Sequence, residues 1–267
     1  MAFPRFVHLR IAVLLACLLA VVLVSAHQHV YSRAWNQPLE VILFPLNGDG
    51  QAATSRYIEN LSLTDFDVID AWGRREAARH SLALSQPFEV TLGPRIDGQP
   101  PALATQASFI ESALWSLQFR YWAWRNTPDS AAERSSLTRV RVFVVYHQGV
   151  DGQPLAHSLG MKKGLLGLVH AYARLAQNGQ NNIVIAHELL HTVGATDKYG
   201  ELGASLYPSG YAEADRQPRY PQRHAEIMSG RIPLSATRSR MPERLRHVIV
   251  NRWTAAEINW RDEESVD

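Results

Sequence analysis

Cysteine is nearly absent: Cys17 is the only one in 267 residues. It lies inside an N-terminal apolar run, so the remainder of the chain has no disulfide, and its stability must come from core burial with any bound metal adding to it. An excess of charge of either sign is also missing, because 27 Lys and Arg stand against 25 Asp and Glu for a formal net charge of +2. No nucleic-acid recognition motif accompanies the scattered arginines, and nucleic acid is not an expected partner. Disorder is excluded as a class by a 46% hydrophobic composition, in a chain long enough for one large domain or two small ones.

Long apolar runs are lacking too, with one exception. Residues 11–24 are uninterruptedly apolar, Arg5 and Arg10 precede them, and Ser25-Ala26-His27 follows. Such a segment is either a secretory signal peptide or an uncleaved anchor, and either sends the rest of the chain out of the cytoplasm. Fourteen residues fall short of the roughly 20 that span a bilayer. Flanking Phe6, Val7, Leu9 and Ala26 extend the run, and Tyr31 and Trp35 are placed to act as aromatic anchors at the interface. Val24-Ser25-Ala26 resembles a small-residue cleavage site, yet the balance favours a retained anchor. A lipoprotein reading of Leu14-Leu15-Ala16-Cys17 fails, because the apolar segment before it is too short and the chain stays apolar after it. The expected organisation is a signal or anchor segment with linker over 1–37 and a single domain over 38–267.

What the chain does have is HELLHTVGATD at 187–197. Residues four apart share a helical face, so the rings of His187 and His191 can converge on one ion at the usual Zn–N distance of about 2.0–2.1 Å. Glu188 is offset by about 100° around the axis, where its carboxylate can reach a water without ligating the ion, as a general base must. A catalytic zinc needs a third protein ligand and an open position. Gly194 can take the left-handed conformation that ends a helix, so the chain can double back and carry Asp197 towards the ion. A bare HExxH arises by chance in roughly 1% of chains this long, and the added Gly and Asp make coincidence far rarer. Glu201, Glu213 and Glu226 are rival third ligands, but none has a spacing that ties it to the histidines. Apolar Ile183, Val184, Ile185, Leu189, Leu190 and Val193 cover most of the helix, so the polar triplet is expected to face a cleft. Asn181 or Asn182 is the expected N-cap.

This eleven-residue signature resembles that of the metzincin-type zinc peptidases, in which HExxHxxGxx is followed by His or, in some members, Asp. The resemblance implies a methionine turn beneath the metal, for which Glu226-Ile227-Met228-Ser229-Gly230 is available. Met228 would then support the histidines without necessarily binding the ion. Several metzincins carry tyrosine two residues after the methionine, where Gly230 stands here, so a phenol assisting the oxyanion must come from Tyr199, Tyr207, Tyr211 or Tyr220. The longer string HELLHTVGATDKY with AEIMSG is also similar to uncharacterised bacterial membrane-anchored proteins, which bring no substrate with them. The resulting location is a bacterial inner membrane with a periplasmic domain, or a secreted or periplasmic protein if the leader is cleaved.

Along the domain, 39–46 reads as a first strand closed by the turn Asn47-Gly48-Asp49-Gly50, whose calcium-ligand pattern is incomplete. A helix is expected over about 51–61, strands over 88–92, 139–147 and 165–173, and a long aromatic-rich helix over 107–125 that packs inside the domain. Gly167 is expected to mark an irregularity, and His170 to be structural. Similar tetrapeptides at 97–100 and 151–154 are ordinary turns. The resemblance implies that the 165–173 strand borders the cleft. Residues 200–240 would form its wall and lid, 242–260 a helical end, and 262–264 a solvated acidic tail.

The expected fold is α+β, a zincin-like domain with a mixed twisted sheet and an active-site helix. The expected function is zinc-dependent hydrolysis of peptide bonds in a peptide or protein substrate, with His187, His191 and Asp197 holding Zn²⁺ and Glu188 as base. A zinc-stabilised tethered binding or scaffold protein and a cell-wall amidase are the alternatives.

Overall fold

The computed structural model describes residues 4–102, 108–128, 139–149, 158–161, 165–200 and 203–261. Glu201, the turn at 151–154 and the acidic tail at 262–264 lie outside the described residues, as do the side chains of Arg5, Phe6, Val7 and Cys17. The chain is a mixed α/β protein with a mixed sheet and an N-terminal apolar helix.

Hydrophobic strands set the centre. β1 (Leu39–Asn47), β2 (Phe88–Leu92), β3 (Val140–His147) and β5 (Leu166–Tyr172) run parallel, and the three-residue β4 (Leu159–Met161) closes one edge antiparallel to β5. Their order is β2-β1-β3-β5-β4. Strands β1 and β3 are near-continuous apolar runs because both their faces are covered, as parallel sheets require. Val41, Leu43, Val142 and Val144 point into one core, while Ile42, Phe44, Phe143 and Val145 point into the other. Gly167 sits in regular register opposite Val142, so it marks no irregularity.

The first core is covered by α2 (Ala52–Glu59), α3 (Asp67–Arg79) and α5 (Asn178–Thr192), the second by α4 (Phe109–Asn126). Only one face of α4 is internal. Trp115, Phe119 and Ala123 are buried, whereas Ile110, Leu117, Tyr121 and Trp124 are exposed, so the expectation that its aromatics pack inside holds for half of them. Helix α5 begins at Asn178, ahead of both expected caps. Asn181 and Asn182 are therefore inside it, and their amides serve neighbouring segments instead of capping: Asn181 both accepts from the Tyr172 N–H and donates to the Tyr172 carbonyl, and Asn182 donates to the Asp65 carbonyl.

The C-terminal region departs most from its expected helix. It is a 3₁₀ turn at Leu245–His247, the strand β7 (Val248–Ile249) paired in parallel with β6 (Ala225–Glu226), and the six-residue α6 (Arg252–Glu257). Asn251 caps α6 by accepting from the Thr254 N–H.

Helix α1 (Pro4–Ala34) is long and apolar enough to cross a membrane and has the character of an anchor or of a signal segment. Its C-terminal end is fastened to the domain. Arg33 donates to the Glu257 carbonyl at 2.5 Å, the Asn259 side chain donates to the Arg33 carbonyl, and the Trp35 indole N–H donates to the Ile258 carbonyl at 2.7 Å. Trp35 is 6% exposed, with its ring 5.9 Å from Phe88 and 5.6 Å from Trp260. It is a core residue, not the interfacial aromatic expected from its place after the apolar run.

Candidate metal centre

Helix α5 ends where Gly194 adopts φ +112°. The Gly194 N–H bonds to the His191 carbonyl and the Ala195 N–H to that of Leu190, which closes the helix and turns the chain back. The reversal brings Asp197 Oδ1 to 3.2 Å from both His187 Nε2 and His191 Nε2, and those two nitrogens are 3.1 Å apart. Three tetrahedral ligands at about 2.05 Å from an ion stand roughly 3.3 Å from one another. These three residues could hold a metal ion, and they form the only such group among the described residues.

The outer hydrogen bonds favour the same reading. His187 Nδ1 lies 2.9 Å from the Ile227 carbonyl and His191 Nδ1 lies 2.9 Å from the Ala195 carbonyl. A carbonyl only accepts, so each Nδ1 carries the proton and each neutral ring presents a lone pair at Nε2. Two lone pairs and a carboxylate oxygen thus converge within 3.2 Å, an arrangement that needs a cation among them. Without a metal that cation is a proton. Burial pulls the His187 pKa down, but the hydrogen bond to Asp197, the charge of Glu188 and the Ile227 carbonyl outweigh it and hold the value above the ordinary one. Burial raises Asp197, and the two imidazoles overcome that to hold its carboxyl far below the usual range.

Asp197 is braced from both sides. Thr196 N–H and Oγ1 donate to the Glu257 carboxylate at 2.9 and 2.7 Å, buried Lys198 pairs with the same carboxylate at 2.7 Å, and the Lys198 N–H bonds to the Met228 carbonyl. Sequence reasoning missed Glu257, which stands 60 residues after Asp197 with no motif to flag it. Ala195 and Ile227 were missed as well, since they act through backbone carbonyls that any residue carries. Gly160 of β4 is a further omission. A Cβ there would fall 2.3 Å from the Glu188 carbonyl and 2.6 Å from His191 Cβ, so the edge strand can lie against α5 only because that position is glycine.

Glu188 is 4% exposed, and its charge reaches both His187 and Tyr199. Of Tyr199, Tyr207, Tyr211 and Tyr220, Tyr199 is at the centre: its ring is 6.5 Å from that of His187. Burial first, then the neighbouring negative charge of Asp197, push its pKa up to about 12. Tyr211 and Tyr220 bond each other, and Tyr207 lies under Arg219. Met228 is fully buried in a turn closed by bonds from the Ser229 and Gly230 N–H groups to the Glu226 carbonyl. The two rival acids among the described residues, Glu213 and Glu226, are engaged elsewhere. Glu226 accepts from Thr254 and the Ser229 N–H, and Glu213 pairs with Arg216.

A second imidazole pair occupies the carboxyl ends of β3 and β5. His147 Nε2 is 3.1 Å from His170 Nδ1, with the rings stacked at 24°. Nearby Asp49 is spent on structure, accepting from Gln51 and Gln148 N–H groups and from Thr54; the turn it belongs to is a plain one.

No protein-family model matches the chain, and no curated protein is similar to it in sequence. Among solved structures, catalytically inactive OgpA from Akkermansia muciniphila, in complex with an O-glycopeptide (glycodrosocin) substrate, is similar over 86% of this chain at 7% identity and a TM-score of 0.35. The chain spans 62% of that protein's length. The centre stands on its own geometry.

Proposed function

We propose that the chain is a zinc-dependent metallopeptidase of metzincin-like, zincin type, exported and tethered to a bacterial inner membrane by α1, with its domain in the periplasm. One observation carries the reading: three lone-pair donors converge at 3.1–3.2 Å beside a buried glutamate. His187, His191 and Asp197 would hold Zn²⁺, for which a mixed imidazole and carboxylate set is suited. Bound there, zinc supplies Lewis acidity towards the scissile carbonyl and makes water nucleophilic near neutral pH.

The remaining work belongs to the protein. Glu188 takes the proton from the attacking water and delivers it to the amine nitrogen that leaves. Tyr199, adjacent to Asp197, donates its phenolic hydrogen to the carbonyl oxygen as charge develops there. Its elevated pKa keeps that hydrogen in place throughout the physiological range. Met228 and its turn hold the Ile227 carbonyl against His187 and so fix the tautomer. The strand at 165–173, expected to border the cleft, is β5 and is paired on both sides by β3 and β4; the short edge strand β4 would offer its backbone groups to an extended peptide instead.

The test is metal analysis of the full chain, followed by digestion of a peptide library with and without chelator. Glu188→Gln is expected to retain one zinc and the fold while losing turnover by at least about 10²-fold. Unchanged activity in that variant would eliminate the mechanism, and absence of bound zinc would eliminate the centre.

A further inference from the structure

A cavity of about 590 Å³, separate from the metal centre, is lined by Arg79, Arg216, Arg223, Arg252 and Arg261 together with Trp253. Two carboxylates, Glu213 and Asp215, share the lining, so five guanidinium charges face two negative ones. Arg216 pairs with Glu213, Arg252 with Asp215, and Arg79 with Glu76 behind the wall. Arg223 and Arg261 are exposed and have no carboxylate partner among the described residues. His80, also in the lining, adds no charge near neutrality, because burial lowers its pKa. Planar guanidinium forks are matched to the oxygens of a phosphate group.

The cavity adjoins the base of α1. Arg261 follows Trp260, whose ring packs on Trp35 and lies 6.3 Å from the ring of His80. If about 20 residues from His8 cross the hydrocarbon, the helix leaves it near His27, and residues 28–34 cover only about 10 Å more. The headgroup layer occupies roughly 5–8 Å of that distance. The arginine-lined wall therefore stands within reach of lipid phosphates, and Trp253 supplies the amphipathic ring common at that depth.

We propose that this cavity binds the phosphate headgroup of an anionic lipid, and so fixes how the domain sits on the bilayer to which α1 tethers it. The proposal rests on α1 being retained in the membrane, and the experiment reads the two separately.

The full chain, purified in a non-ionic detergent, is titrated with phosphatidylglycerol, with phosphatidylcholine and with inorganic phosphate, and retained ligands are counted by native mass spectrometry. The wild type is expected to retain one phosphatidylglycerol at a lipid concentration at least about tenfold lower than Arg223→Ala/Arg261→Ala, with no difference for phosphatidylcholine. Both side chains are exposed, and the Arg223→Gln/Arg261→Gln pair serves if the alanine variant fails to fold. Equal retention by wild type and variant overturns the site. Displacement of phosphatidylglycerol by submillimolar inorganic phosphate overturns the lipid as source and assigns a soluble anion. Flotation on pure phosphatidylcholine vesicles reads the anchor alone. A chain that fails to float there but floats on phosphatidylglycerol vesicles loses the tether and keeps the headgroup site.

Discussion

Two pairs of histidines with the same 3.1 Å nitrogen separation stand in this protein, one on helix α5 and one across strands β3 and β5. In the sheet pair an Nε2 faces an Nδ1, so a neutral ring can donate to its neighbour and the contact satisfies itself. In the helix pair Nε2 faces Nε2, and both Nδ1 protons are already given to carbonyls, so nothing neutral can satisfy the contact. Asp197 adds a third acceptor to the helix pair. What separates a group that could hold a metal from a structural contact is the fate of the outer nitrogens, not the distance between the inner ones.

The comparison breaks most sharply at its third member. Asp197→Ala is expected to weaken zinc binding at least about 10²-fold in competition with a chromophoric chelator; an unchanged affinity would mean that the two imidazoles suffice. Acid acts on the same contrast. A pKa raised in the metal-free protein means that protons compete for His187 at a higher pH than for an ordinary histidine. Zinc affinity should therefore fall about tenfold per pH unit for that ligand below its pKa, while Asp197 stays ionised. A pH-independent affinity between pH 5 and 7 contradicts this.

Glu257→Gln probes the brace. It keeps an acceptor for Thr196 but leaves Lys198, 3% exposed, without its counter-charge. A loss of about 2 kcal/mol in denaturant unfolding and about tenfold in zinc affinity is expected, and a loss of stability alone would confine Glu257 to packing. The smallest effect belongs to the sheet pair: His147→Ala should leave the stoichiometry at one metal per chain and the activity within about twofold. A second metal lost with His147 would erase the distinction drawn between the pairs.

Much of the centre is legible in the sequence because its chemistry is local. Helical spacing aligns His187 with His191, and Gly194 supplies a reversal that only glycine adopts without strain. The parallel strands are legible for a related reason, since burial on both faces leaves continuous apolar runs such as 142–146. Other features depend on distant partners. Helix α3 carries charges along most of its length, and its few core contacts, Ile69, Trp72 and Ala77, do not stand out until Phe88 is placed against them. Asn181 and Asn182 look like caps because the amides that cap helices also serve strands, and only the position of Tyr172 decides between the two. The segment 242–260 has helical composition, yet pairing of Val248–Ile249 with Ala225–Glu226 claims its backbone first.

The fastening at Arg33 and Trp35 decides where this protein can be shortened. A leader peptidase cutting after Ala26 would leave an eight-residue stub, 27–34, that still reaches Glu257, so maturation and an intact brace at Asp197 are compatible. A recombinant chain begun at residue 38 is another matter. It would pull Trp35 from between Phe88 and Trp260, an omission worth about 3–5 kcal/mol, and would strip Arg33 from the helix that steadies Asp197.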